Sequence, residues 1–352
     1  VTIDLAQRLT DATTGTLELF AVHLGRELGL YDSLDRQGPA TPTELAARVG
    51  IDERYALEWL EQQAVAGFLD VVAGDSATTR TFALPSAHRG PLVDPIDGEH
   101  VAPFAPMVVG IAQALDDVVE AFRTGAGVPY ARYGTTFRHG QGGINRPAFT
   151  TDLVKAWLPA VEGLDQRLDG GVVLDIGTGH GWSAIAVQAA WPSARVIGLD
   201  TDLASIEDAR AHAVRAGVEV AFELVSDGSA PDLTPHGPAD VVLILEALHD
   251  MARPAAVLAA ARAALAPGGV VVVADEAVAE EFTAPGDDLE RMMYGWSVTH
   301  CLPAARAEQP SAAIGTAIRP ATVAELAAEA GFARCDVVDV DAGFFRLYRL
   351  AG

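Results

Sequence analysis

The chain has 352 residues, 50% hydrophobic and 20% charged, with a formal net charge of −24. Such a length predicts about two domains with full cores, and such acidity excludes a phosphate-backbone substrate. Two cysteines, Cys301 and Cys335, no apolar run approaching about 18 residues and no signal-peptide pattern predict a cytoplasmic protein with neither a nucleic-acid nor a membrane partner.

The first hundred residues read as helical. Leu17, Phe20, Leu24 and Leu28 recur at helical spacing and predict one buried stripe. Thr41-Pro42-Thr43-Glu44 is a capping box with proline at the first helical position, opening a helix that ends near Gly50. A third helix is expected from Asp52 to Ala66, closed by Gly67. Phe68 to Val72 and Thr79 to Leu84 then form a two-stranded wing around a Gly-Asp-Ser turn. Three helices and a wing make a winged-helix pattern over residues 1–100. Its third helix sets Asp52, Glu53, Glu58 and Glu61 against one arginine, which disfavours DNA and leaves dimerisation as its role. Residues 101–152 read as a helical linker, His100 to Arg123, and an active-site loop, Gly125 to Gly143, rich in glycine and aromatics.

Residues 153–352 read as the catalytic domain. Val172 to Ile176 is a buried strand followed by Gly177, Gly179 and Gly181, then by an apolar helix from Trp182 to Trp191 and a second strand from Arg195 to Asp200. Glycines that let a ligand approach the backbone, with an acid at the next strand tip, bind a nucleoside. Trp182 stands where a dinucleotide loop has its third glycine. The D-x-G-x-G-x-G form starting at Asp175 resembles motif I of class I S-adenosylmethionine (SAM) methyltransferases. The resemblance implies that Gly177, Gly179 and Gly181 line the methionine part and that Asp175 binds its ammonium directly or through water. It gives the ribose to Asp200 and the adenine amino group to Asp227 beside Gly228. Further strands, Val218–Leu224, Asp240–Leu245 and Val270–Ala274, alternate with helices, one of them closed by Pro267-Gly268-Gly269. A mostly helical lid, 280–318, a helix ending at Gly331 and a terminal hairpin complete an α/β, Rossmann-like parallel sheet with ligands at the carboxyl ends of its strands.

The fourth of these strands ends in Glu246-Ala-Leu-His249-Asp250. Three readings stand side by side: a strand-end hydrogen bond, a general base and a metal ligand pair. The base reading resembles plant-type O-methyltransferases, although Met251 replaces the usual tryptophan after the His-Asp pair. The metal reading needs His300, in the lid sequence His300-Cys301-Leu302-Pro303, because two imidazoles and one carboxylate suit non-heme iron or an open zinc site.

Taken together, the glycine loop, EALHD, HCLP and the closing FFRLYRL resemble the bacterial metal-dependent α-keto acid C-methyltransferases of nonribosomal peptide pathways. That resemblance implies C3 methylation of an α-keto acid such as phenylpyruvate or 4-methyl-2-oxopentanoate, in antibiotic biosynthesis. It implies His249, Asp250 and His300 as ligands of one iron or zinc ion that stabilises the enolate, and Arg132 as the carboxylate clamp. Tyr294, Glu246 and a metal-bound hydroxide are candidates for the base that removes the C3 proton; His100, His139 and His180 are assigned to surface or packing positions. A metal-free O-methyltransferase with His249 as general base is the alternative, and a SAM-binding regulator a distant one. A homodimer through the first helix is expected in each case.

Overall fold

The computed structural model describes residues 4–225 and 232–352. These fall into two compact units, 1–112 with 134–147, and 113–133 with 148–352.

The first unit carries α1 (Leu5–Glu27), α2 (Leu30–Gln37), α3 (Pro42–Val49) and α4 (Glu53–Val65), then the antiparallel pair β1 (Asp70–Ala73) and β2 (Thr81–Ala83). The capping box forms: the Glu44 N–H donates to Thr41 Oγ1 at 3.3 Å and the Thr41 N–H to Glu44 Oε2 at 2.8 Å. Asp52 caps α4 by accepting from the N–H groups of Arg54 and Tyr55. Tyr31, Leu45, Trp59, Leu60 and Phe82 build the core. The stripe on α1 is not buried as expected. Leu17, Leu24 and Leu28 are 61%, 51% and 44% exposed, and the inward face is carried by Val22 and Gly25. Close packing sets that frame, since a Cβ on Gly25 would meet the Tyr31 ring at 2.5 Å.

The segment expected as a long loop after Gly125 is mostly helix. Tyr130–Tyr133 forms a 3-10 turn, and Gly134–Pro147 is α-helical around the buried Phe137. Packing of one aromatic face outweighs the poor helix propensity of the glycines. The linker helix runs Phe104–Thr124, starting four residues later than expected from His100.

The second unit is built on β3 (Val172–Ile176), β4 (Arg195–Asp200), β5 (Ala221–Leu224), β6 (Ala239–Leu245), β7 (Leu265–Glu276), β8 (Arg334–Val337) and β9 (Phe345–Ala351). Their order is β5-β4-β3-β6-β7-β9-β8. The sheet is mixed rather than parallel throughout: β5, β4, β3, β6 and β7 are parallel, while β9 runs antiparallel to β7 and β8. Alternate residues of β6 and β7 enter separate cores. Val241, Leu243, Val270 and Val272 face one helical layer; Val242, Ile244, Val271 and Val273 face the other. Pro267-Gly268-Gly269 does not precede β7 but lies inside it, where the register with β6 slips between Ala239 and Val241. An irregularity of this kind is where a strand accepts proline and glycine. The expected lid is helical only from Asp288 to Ala305, with a π-helical turn at Ser297–Cys301 in its middle. Among the described residues no helix is long and apolar enough to cross a membrane.

Candidate active site

The strand order reverses at β3 and β6, so the crevice opens at the carboxyl ends of these two strands. At the β3 side, Gly177, Gly179 and Gly181 have φ of +75°, +50° and +76°. A Cβ on Gly177 would meet Ala247 Cβ at 2.7 Å, whereas one on Gly179 would meet nothing within 4 Å. Gly179 is therefore the point of the loop where a ligand has room to reach the backbone. Trp182 opens the next helix and stacks on His212, with ring centroids 3.9 Å apart.

Asp175 is buried, and its Oδ2 accepts from the hydroxyls of Thr178 and Ser183 at 2.7 and 2.6 Å. Burial raises its pKa to about 6. The side chain is tied into the loop itself by these two hydroxyls. Asp200 at the β4 tip accepts from the Gly179 N–H and the Asp202 N–H, each at 2.8 Å. It thus fixes the glycine loop beside the next strand, and burial raises its pKa too. Asp227 and Gly228, expected at the adenine, lie outside the described residues.

At the β6 side the chain leaves the strand through Glu246, which adopts φ +50° and donates its N–H to Ala274 O at 2.7 Å. Strain of this kind collects at functional sites. The 3-10 turn Leu248–Asp250 follows and buries His249. Asp275, at the end of β7 and fully buried, holds that histidine twice. Its Oδ1 lies 2.6 Å from His249 Nδ1, and its Oδ2 accepts the His249 N–H at 3.3 Å. Nε2 is left facing Asp250 Oδ1, 3.3 Å away. Burial pulls the His249 pKa down, but the carboxylates of Asp275 and Asp250 together carry it well above the usual value.

His300 is buried and within electrostatic reach of Asp250 and His249, and burial lowers its pKa to about 4. The Tyr133 ring packs edge-on against it at 4.5 Å, and the Tyr133 hydroxyl donates to Thr299 O at 3.1 Å. Among the described residues, donor atoms of His249, Asp250 and Cys301 approach within 4.8 Å of one another, and His300 of the expected set is not in that group. His300 and Cys301 are both buried in the π-helical turn Ser297–Cys301, with His300 Nδ1 3.4 Å from Cys301 Sγ. Arg132, expected as a carboxylate clamp, is 63% exposed and paired to Asp117 at 2.7 Å. Asp275 and Glu276 escaped the sequence reading, since an acidic pair ending an apolar strand carries no spacing signal. Their neighbourhood to His249 arises from the β6–β7 pairing.

Residues 168–330 match the family described as a methyltransferase domain, and residues 16–93 match the Rv2258c-like winged helix-turn-helix domain. The chain is 34% identical over 137 residues, 38% of its length, to the ribosomal protein L11 methyltransferase of an Enterobacter species, covering 44% of that protein. It is 38% identical over 104 residues, 30% of its length, to a ubiquinone biosynthesis O-methyltransferase of Thiobacillus denitrificans, again covering 44% of that protein. The chain thus spans less than half the length of these curated relatives. Among solved structures it resembles human N-acetylserotonin methyltransferase in complex with SAM, with TM-score 0.73, 18% identity, and 99% of this chain and 98% of that one covered. It likewise resembles mitomycin 7-O-methyltransferase, with TM-score 0.68, 21% identity, and 98% and 97% covered. At these identities the likeness is one of fold.

Proposed function

Starting from a chain that carries a class I SAM-dependent methyltransferase domain behind a winged helix-turn-helix domain, we propose that it methylates a hydroxyl oxygen of a small molecule, with His249 as general base. The observation that carries this reading is the buried His249–Asp275 pair at 2.6 Å. A carboxylate on Nδ1 fixes the tautomer and orientation of the ring, so that Nε2 is the atom that takes the acceptor's proton. Solved structures of like fold include O-methyltransferases, which supports the same reaction class. SAM, when bound, supplies the electrophilic methyl group. Gly179 has the open approach for its methionine part, and Asp200 lies at the strand tip where a ribose is held. The protein's own work is to orient the acceptor and receive its proton. The exposed leucines of α1 support a homodimer as the working form.

The test is turnover of a phenol panel by wild type, His249→Ala and Asp275→Asn. Loss of about 10²–10⁴-fold in kcat/KM for His249→Ala, with SAM affinity retained, is the expected result. Wild-type rates from His249→Ala would refute the base.

A second reading, metal-dependent C-methylation of an α-keto acid, is supported by the convergence of His249, Asp250 and Cys301 within 4.8 Å, next to His300. Nitrogen, oxygen and sulfur donors fit zinc, and Asp275 on Nδ1 is the outer partner that a ligating histidine ordinarily has. The two readings part on chelation. O-methylation persists after dialysis against a chelator, whereas keto acid methylation stops and returns with zinc or iron.

A further inference from the structure

One buried group beside the His249–Asp275 pair takes no part in base catalysis. Glu276 ends β7 and is 4% exposed. Its N–H donates to Asp275 Oδ1 at 3.0 Å, but its Oε2 is buried and has no hydrogen-bond partner among the described residues. A buried polar atom left in this condition is destabilising, and a ligand that reaches it relieves the cost. Among the groups that act on Glu276 electrostatically are Glu246, His249, Asp275 and Asp250, three further carboxyls and one imidazole. Carboxyls gathered at low dielectric do not all ionise. Burial first, then Glu246, pushes Glu276 well above the usual carboxylate range. A neutral carboxyl is a hydrogen-bond donor as well as an acceptor. Arg132, the cation expected to receive a substrate carboxylate, is engaged with Asp117.

We propose that Glu276 is a specificity-determining residue of this site. Its buried carboxyl donates a hydrogen bond to a carbonyl oxygen of the methyl acceptor, and the acids around it turn carboxylate-bearing acceptors away. The acceptor class is thereby an uncharged hydroxyaryl ketone or a similar hydroxylated carbonyl compound. This inference rests on the O-methylation reading for its reaction, though not for its binding contact.

The test uses three matched sets: hydroxyacetophenones with the acyl group ortho, meta or para, the isosteric isopropylphenols, and the corresponding hydroxybenzoates. Each is measured twice, as kcat/KM with SAM and as calorimetric affinity for the protein loaded with S-adenosylhomocysteine. At least one ketone is expected to exceed its isopropylphenol by about tenfold or more in both measurements, with the benzoates below both. Glu276→Leu brings the ketone-to-alkyl ratio to about one, while Glu276→Gln, which keeps a donor, keeps the ketone ahead whatever its absolute rate. S-adenosylhomocysteine affinity checks that each variant is folded. Equal ketone and alkylphenol values in wild type, a ratio unmoved by Glu276→Leu, or benzoates as the best acceptors would overturn the inference. A ketone preference in affinity without methylation sinks the reaction and leaves the contact standing. Methylation without preference does the reverse.

Discussion

At the scale of single residues, His249 couples charge to reaction. Its pKa is raised by Asp275 and Asp250 against the pull of burial. A base must be unprotonated, so kcat/KM is expected to climb with pH through a value well above 6.5, the ordinary histidine value. Asp275→Asn removes one of the two charges that raise it, so the climb moves to lower pH even as the plateau falls. A pH–rate profile of the two proteins checks this, and an unmoved midpoint counts against the pair. Stability follows the same sign. A histidine raised on folding stabilises fully below its unfolded value, and that contribution is lost as pH rises through the folded one. Asp175 likewise lies above its unfolded value, at about 6. The protein is expected to lose stability between about pH 4 and pH 6 relative to Asp175→Asn, in which this titration is absent. Paired urea unfolding curves across that range measure the difference.

At the scale of elements, the glycine loop separates backbone need from ligand need. Alanine at position 179 takes φ +50° at a cost of about 1–2 kcal/mol and meets no protein atom within 4 Å. Gly179→Ala is therefore expected to fold, with a modest drop in melting temperature, and to bind SAM at least about tenfold more weakly, because the methyl points where the ligand approaches. Gly177→Ala instead meets Ala247 at 2.7 Å and strikes the turn that leads to His249, so its loss falls on stability. Calorimetry of both variants separates the effects. In the first unit, Thr41→Ala removes the acceptor for the Glu44 N–H and is expected to cost about 1 kcal/mol, read from chemical unfolding. The capping box was visible in four letters because every atom it needs lies within one turn. The Gly134–Pro147 helix was not, since its glycines and single buried aromatic give no periodic pattern.

At the scale of the whole molecule, Leu5, Leu9, Leu17, Leu24 and Leu28 leave α1 with an apolar face 44–63% exposed. The proposed homodimer covers this face with a second copy. Sedimentation is expected to give a dimer for the wild type and a monomer for the double variant Leu17→Glu with Leu24→Glu. A monomeric wild type removes the proposal.

What is local or periodic is legible in the residues alone: the winged helix, the strand–glycine–helix–strand unit, the alternation of strands and helices, and a histidine and acid at a strand tip. These follow from contacts a few residues apart and from periods of 2.0 and 3.6. Which side chains meet depends on how distant segments pack. Asp275 reaches His249 because β6 and β7 pair in one register, 26 residues of chain apart. Cys301, not His300, joins His249 and Asp250 in the donor cluster, and Arg132 is taken up by Asp117 on the linker helix. Register and partner choice are set by packing over the whole unit, and no stretch of sequence holds them alone.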